Sequence, residues 1–212
     1  MDEYLVPTDF GEDEFIEKKS RFIGRLWPVE TEEAALEKIQ AMKKQHYDAT
    51  HNCWAYIIRD GAVRFSDDGE PGGTAGMPML QVLQREGLFN CVCVVTRYFG
   101  GILLGTGGLV RAYSTSARDA LAAAQRVLMC ECCEYEIDCE YGNYDRLSRL
   151  IADCCGMIQN TDFTDKVTVN VMFKKVDTTA FLDKLCETFA SKIIAKLKNT
   201  IFSNIFEKNV CI

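Results

Sequence analysis

The sequence predicts an α+β protein built as two domains, and three observations carry that prediction. Of 212 residues, 48% are hydrophobic and 26% charged, a globular balance that excludes a disordered or collagen-like chain. Eleven of the fifteen glycines fall between Gly61 and Gly108, whereas only Gly142 and Gly156 lie beyond them. This change of composition puts a boundary near residues 126–129 and divides the chain into 1–127 and 128–212. Finally, the second part reads as an unbroken succession of strand and helix patterns.

In the first part, Phe15 to Val29 has the character of a strand pair or one long bent strand. Thr31 then offers an N-cap, Glu32 and Glu33 fall in the first turn and Lys43 and Lys44 in the last. Charges so placed complement a helix dipole, and Leu36, Ile39 and Met42 supply an apolar stripe, so 32–46 is a helix. Residues 52–59 and 63–66 read as strands joined at Asp60-Gly61. The loop from Asp67 to Gly76 leads into a short helix over 77–86, with Pro78 in its first turn. Residues 90–97 are nearly all apolar, as expected of a central strand buried on both faces. A second glycine loop, Gly100 to Gly108, opens a long helix over about 108–125. Its apolar face is Leu109, Tyr113, Ala117, Ala120, Leu121 and Ala124.

The second part reads strand 129–141, helix 143–154, strand 157–163, strand 166–174, helix 178–190 and strand 193–205. That order, β-α-β-β-α-β, is the order of the ferredoxin-like split unit. Its first strand also decides how the cysteines are read. The chain has eleven, an odd number in a chain with no sign of export, which argues for reduced thiols. Cys130 and Cys133 form a C-x-x-C, but positions 133, 135, 137 and 139 are apolar while 134, 136 and 138 are acidic. This period of two is a half-buried strand, with Cys133 and Cys139 facing the core, Cys132 facing solvent, and no metal or cofactor expected.

Net charge is −7, which disfavours indiscriminate binding to nucleic acid or membranes while leaving a local basic patch open. No stretch approaches the ~20 apolar residues of a membrane span, and the acidic start Met-Asp-Glu-Tyr-Leu is unlike a secretory signal. A cytoplasmic protein is expected. Between Gln45 and Asp165 there are nine arginines and no lysine. Arginine suits bidentate recognition of phosphate and carboxylate.

The glycine loops are the first candidates for chemistry, because a loop running into a helix is how proteins cradle phosphate. Both nucleotide motifs fail. Gly100-x4-Gly105 is followed by Thr106 where a Walker loop needs lysine, and Val110 stands where a dinucleotide fingerprint beginning at Gly105 needs glycine. What remains is a helix N-terminus flanked by Gly100, Gly101, Gly105, Gly107 and Gly108, which let backbone approach a ligand. Arg111, Thr115 and Arg118 share one polar helix face by their i, i+4, i+7 spacing. With Arg97 at the end of the preceding strand they form a candidate anion site, the alternative being an ordinary solvated helix face. Asp67, Asp68 and Glu70 form a carboxylate cluster suited to a cation or to acid–base work, or simply to a turn. His51, at a strand start, is the better placed of two histidines.

Phe65-Ser-Asp-Asp-Gly-Glu-Pro-Gly-Gly-Thr-Ala-Gly-Met-Pro-Met79 and the segment Val95-Thr-Arg-Tyr-Phe-Gly-Gly-Ile-Leu-Leu-Gly-Thr-Gly-Gly-Leu-Val-Arg-Ala-Tyr113 closely resemble the two signatures of the IMPACT/YigZ family. The similarity covers about residues 10–125 and extends to Lys19-Ser20-Arg21-Phe22-Ile23 and His51-Asn52-Cys53. It implies an N-terminal domain of the ribosomal protein S5 domain 2-like fold followed by a smaller ferredoxin-like domain. Such a pair is similar to the fourth and fifth domains of elongation factor G. Eukaryotic members restrain the initiation-factor kinase activated by amino-acid starvation, using an additional N-terminal RWD domain. No enzymatic activity is attached to the family.

The expected function is therefore non-enzymatic regulation of translation or the stress response by binding RNA or the ribosome. Two alternatives stand beside it: a regulator that binds only a protein partner, and an enzyme acting on a phosphorylated small molecule or nucleotide. Oligomeric state is open.

Overall fold

The structure, a computed structural model, describes residues 3–204. It divides into two compact units, Tyr4–Leu128 and Met129–Ile212 with Met1–Glu3. Both mix helices with antiparallel sheets.

The first unit runs β1 (Glu3–Pro7), β2 (Gly11–Glu17), β3 (Ser20–Pro28), α1 (Glu32–Gln45), β4 (His51–Ile57), β5 (Val63–Ser66), α2 (Gly76–Arg85), β6 (Cys91–Tyr98) and α3 (Thr106–Ala123). Its sheet has the order β2-β3-β6-β4-β5, with every neighbouring pair antiparallel. Helices cover both faces. Phe22, Leu26, Cys53, Cys93 and Val95 face α2 and α3, where they meet Met79, Leu83, Tyr113 and Ala117. Val92, Val94 and Tyr56 face α1, where they meet Ala35 and Ile39. Cys91 to Arg97 are all buried, which accounts for a strand with no polar alternation in its apolar run.

Of the two readings of Phe15–Val29 the strand pair is realised, as a hairpin, β2-β3, that turns through Lys18 and Lys19 at φ 46° and 66°. Neither residue is the glycine or asparagine that signals such a turn. The buried stripe of α1 is Ala35 and Ile39, while Leu36 is 40% exposed. Ile39 and Met42 of the expected stripe do pack on that side, Met42 partly buried, and Ala35 stands in place of Leu36. β1 has no counterpart among the expected elements; its Leu5 exchanges backbone hydrogen bonds with Gly87 and Phe89.

The second unit comprises β7 (Arg126–Cys139), α4 (Tyr141–Asp153), β8 (Met157–Phe163), β9 (Val167–Lys174), α5 (Lys175–Phe189) and β10 (Ala195–Ser203). Residue 205, the expected end of the last strand, lies outside the described residues. Four strands of a five-stranded sheet lie in the order β10-β7-β9-β8, these pairs all antiparallel. One face carries the core, in which Tyr135, Ile137 and Val169 meet Leu147, Ile151 and Leu185, and Phe173 stacks on Phe181 at 4.1 Å between centroids. Cys133 and Cys139 sit in that core. Cys132 does not face solvent: it is fully buried with Cys130 and Met172 in a separate cluster. The alternation assigns it to the face opposite the main core, where Ile201 of β10 and Lys174 of β9 flank it in register. Among the described residues no helix is long and apolar enough to cross a membrane.

Candidate functional site

The loop between β5 and α2 carries the three candidate carboxylates, and each is committed to a different structural task. Asp67 accepts hydrogen bonds from the backbone N–H groups of Gly73, Ala75 and Gly76, at 2.8, 3.0 and 2.8 Å. It therefore caps α2 from nine residues away, since Ala75 in the N-cap position has no side-chain acceptor. Asp68, at φ 44°, accepts from the Lys43 ammonium (2.6 Å) and the Asn52 N–H (2.7 Å), while its carbonyl meets His51 Nδ1 at 2.8 Å.

Glu70 is the exceptional member. Its side chain is 3% exposed, and its Oε1 accepts from both Arg97 Nη1 (2.6 Å) and the Tyr113 hydroxyl (2.7 Å). His51 Nε2 stands 3.8 Å from its other oxygen, beyond hydrogen-bond range. Burial pushes the Tyr113 phenol far above its ordinary value, so it is a fixed donor to Glu70. Burial likewise raises the thiol of Cys53, whose Sγ donates to the Asp67 carbonyl at 3.0 Å. A thiol so held is not a nucleophile. Among the described residues no three or more His, Cys, Asp or Glu groups converge on a metal site.

Arg97, expected as an anion contact, is engaged with a carboxylate of the protein itself. Its guanidinium is 6% exposed, paired with Glu70, and lies over the rings of Phe22 and Phe99. β6 alternation accounts for this: Arg97 shares the face of Cys93 and Val95, which points under α3. An arginine on that face needs a buried acid, and the loop supplies Glu70. Sequence spacing does not reveal the pairing, because the partners are 27 residues apart on different elements.

The glycines also divide. A Cβ at Gly100 would stand 2.0 Å from the backbone carbon of Lys19, so that glycine is required by contact with the β2-β3 turn. Gly105 has φ 75° and is the N-cap of α3, a conformation most side chains disfavour. Gly101 also has positive φ and open space beyond it, while Gly108 abuts Leu104. Gly107 has only Arg111 Nη1 near its missing Cβ, at 3.9 Å, so backbone is accessible there.

Two clefts result, with Leu104 lining both. The first, about 380 Å³, is walled by Phe99, Leu103 and Leu109, with His51, Glu70 and Arg97 among its polar lining. The second, about 300 Å³, is lined by Lys18, Arg111, Thr115 and Gly108, with Glu17 also present. The structure thus places Arg111 and Arg97 in different clefts. Arg111 and Arg118 are both exposed on the outer face of α3. The first turn of α3 has neither a side-chain cap nor an acidic residue, so its amides favour negative charge. Lys18 carries no signal in the sequence; it becomes relevant only when the hairpin brings it to α3.

Known proteins resemble this arrangement. A family model described as the Impact N-terminal domain matches residues 18–121. The IMPACT family member YvyE of Bacillus subtilis is 39% identical over 189 residues, spanning 87% of this chain and 86% of that protein. The IMPACT family member YigZ of Escherichia coli is 39% identical over 176 residues, spanning 80% and 85%. A crystal structure of "an hypothetical protein" superposes with a TM-score of 0.59 at 35% identity, over 94% of this chain and 98% of that one.

Proposed function

The chain belongs to the IMPACT family, and on that premise we propose that it is a non-enzymatic cytoplasmic regulator of translation that binds RNA or the ribosome. The observation that carries this reading is the second cleft. There Lys18 and Arg111 flank the uncapped start of α3, with Arg118 on the same exposed helix face. Two cationic side chains beside free backbone amides suit phosphate. At net charge −7, such contact must be local rather than diffuse. The order β10-β7-β9-β8 with α4 and α5 supports the ferredoxin-like reading of the second unit, and the matched family segment supports the S5 domain 2-like reading of the first.

The contact set differs from the one expected from sequence, because Arg97 is engaged with Glu70 and Lys18 takes its place. Replacing Arg111 and Arg118 by alanine is expected to weaken co-sedimentation with ribosomes or RNA without changing the melting temperature. The log–log salt slope should fall by ~0.7–0.9 for each phosphate that is no longer neutralised. Unchanged binding by the folded double variant refutes the reading. A protein-only partner is the second reading, favoured by Phe99, Ile102 and Leu103, which are 46%, 43% and 82% exposed beside the first cleft. It predicts binding that nuclease and salt leave intact but Leu103→Ser abolishes.

A further inference from the structure

The first cleft holds two hydrogen-bond acceptors that face each other without a donor between them. The Asp68 carbonyl can only accept, so the ring nitrogen it meets at 2.8 Å, His51 Nδ1, carries a proton. In the neutral ring His51 Nε2 is then an acceptor, and it stands 3.8 Å from Glu70 Oε2. The Glu70 side chain is 3% exposed, and among the described residues its hydrogen bonds, from Arg97 and Tyr113, both go to Oε1. Two acceptors left facing each other at a largely buried position call for a third group that donates to both.

The spacing indicates what that group is. A nitrogen about 2.8 Å from each acceptor would see them roughly 85° apart. The single proton of a hydroxyl cannot serve two such directions, whereas an ammonium can turn two of its three protons to the pair. Its bond to Glu70 is then charge-assisted.

The same cleft reaches the start of α3, where it is lined by Gly105 and Thr106, the N-cap and first residue of the helix. The first-turn amides have no partner within the helix and no side chain caps them, so a carboxylate is favoured there. Phe99, Leu103 and Leu109 make much of the remaining wall apolar. Glu70 is already balanced by Arg97, so an occupant with equal and opposite charges leaves the cleft neutral. Size agrees: a compact space of 380 Å³ is roughly 9 Å across, about what an α-amino acid spans when hydrogen-bonded at both ends.

We propose that the first cleft binds a free apolar α-amino acid. Its ammonium lies between His51 Nε2 and Glu70 Oε2, its carboxylate at the start of α3, and its side chain on Phe99, Leu103 and Leu109. The N-terminus of a peptide offers the same ammonium and side chain but no α-carboxylate, so the uncapped helix selects the free amino acid.

The test is calorimetric titration of the full chain with L-leucine, L-leucinamide and isocaproate, followed by amide NMR. Leucine is expected to bind at one site per chain and to shift the amides of residues 99–109. Leucinamide lacks the carboxylate and isocaproate the ammonium; each should bind roughly 10-fold more weakly or worse, the loss of one charge-assisted contact. Thr106→Pro deletes the first amide proton of α3 at a helix position that suits proline. Gly105, at ψ 165°, already has the extended backbone that a following proline requires. This variant should weaken leucine binding about 10-fold, whereas Thr106→Ala, which keeps the amide, should leave it within about 3-fold. His51→Ala should weaken it by roughly 10-fold as well. Failure of leucine to bind at millimolar concentration, with water alone filling the gap, overturns the proposal. So does leucinamide that binds as well as leucine, which would indicate a peptide N-terminus, or isocaproate that does so. Should His51→Ala fail to fold, the two Thr106 variants and the analogues on wild-type protein decide: equal leucine binding by Thr106→Pro and Thr106→Ala refutes the site.

Discussion

Replacing Arg97 by alanine strands the carboxylate of Glu70 inside the first unit. Glu70 is 3% and Arg97 6% exposed, and their ion pair is 2.6 Å long. After the substitution Glu70 keeps the Tyr113 hydroxyl as donor but is deprived of its buried countercharge. Breaking one partner of such a pair costs about 3–5 kcal/mol, whereas removing both charges together costs far less. Against a total stability of about 5–15 kcal/mol, that loss is large. With a urea dependence of about 2 kcal/mol per molar, the unfolding midpoint should fall by roughly 1.5–2.5 M. Both tryptophans, Trp27 and Trp54, lie in β3 and β4, so their fluorescence reports the affected unit. Adding Glu70→Gln to the Arg97 variant should recover part of the loss, because the amide oxygen still accepts from Tyr113 while the uncompensated charge is gone. A midpoint shift below about 0.5 M, or a double variant no more stable than the single one, refutes the argument that Arg97 serves chiefly to hold Glu70.

Other expectations follow from the same geometry. Burial and the hydrogen bond to Glu32 push the Tyr56 phenol up to about 12. Because its folded value is raised, its contribution to stability is complete below about pH 10 and is lost as pH rises toward 12; urea midpoints measured across that interval should fall, and less so in Tyr56→Phe. Among the described residues, alkylation of the native protein should modify Cys155 and Cys186 rapidly and the eight buried cysteines only on unfolding, as peptide mass mapping would show. Residues 128–212 expressed alone should melt cooperatively, because the core of the second unit draws on that segment alone; a non-cooperative melt by calorimetry would show that the units depend on each other.

Much of this protein is determined by local pattern. The period-two alternation of 133–139 specifies a strand with one core face, and the spacing from Leu109 to Ala124 specifies the buried side of α3. Charges at the ends of 32–45 are those of a helix, and the N-cap role of Thr31 is realised in its bond to the Ala34 N–H. Such features need only neighbours within a turn or a strand, so sequence suffices. The family resemblance also lies in two contiguous segments.

The partners of the candidate site lie beyond that reach. Glu70 and Arg97 are joined by the apposition of a loop to the end of β6, and Lys18 meets Arg111 only because the β2-β3 hairpin turns beside α3. Cys132 is buried, and it is flanked by strands about 40 and 70 residues downstream, neighbours that alternation along its own strand cannot express. Asp67 has the residue type of a cation ligand yet serves as a distant helix cap. In each case residue type states what a side chain is able to do, and tertiary contact chooses among those options. A buried charge or donor must be satisfied by whichever group the fold brings within hydrogen-bond distance, and that group is seldom near in sequence.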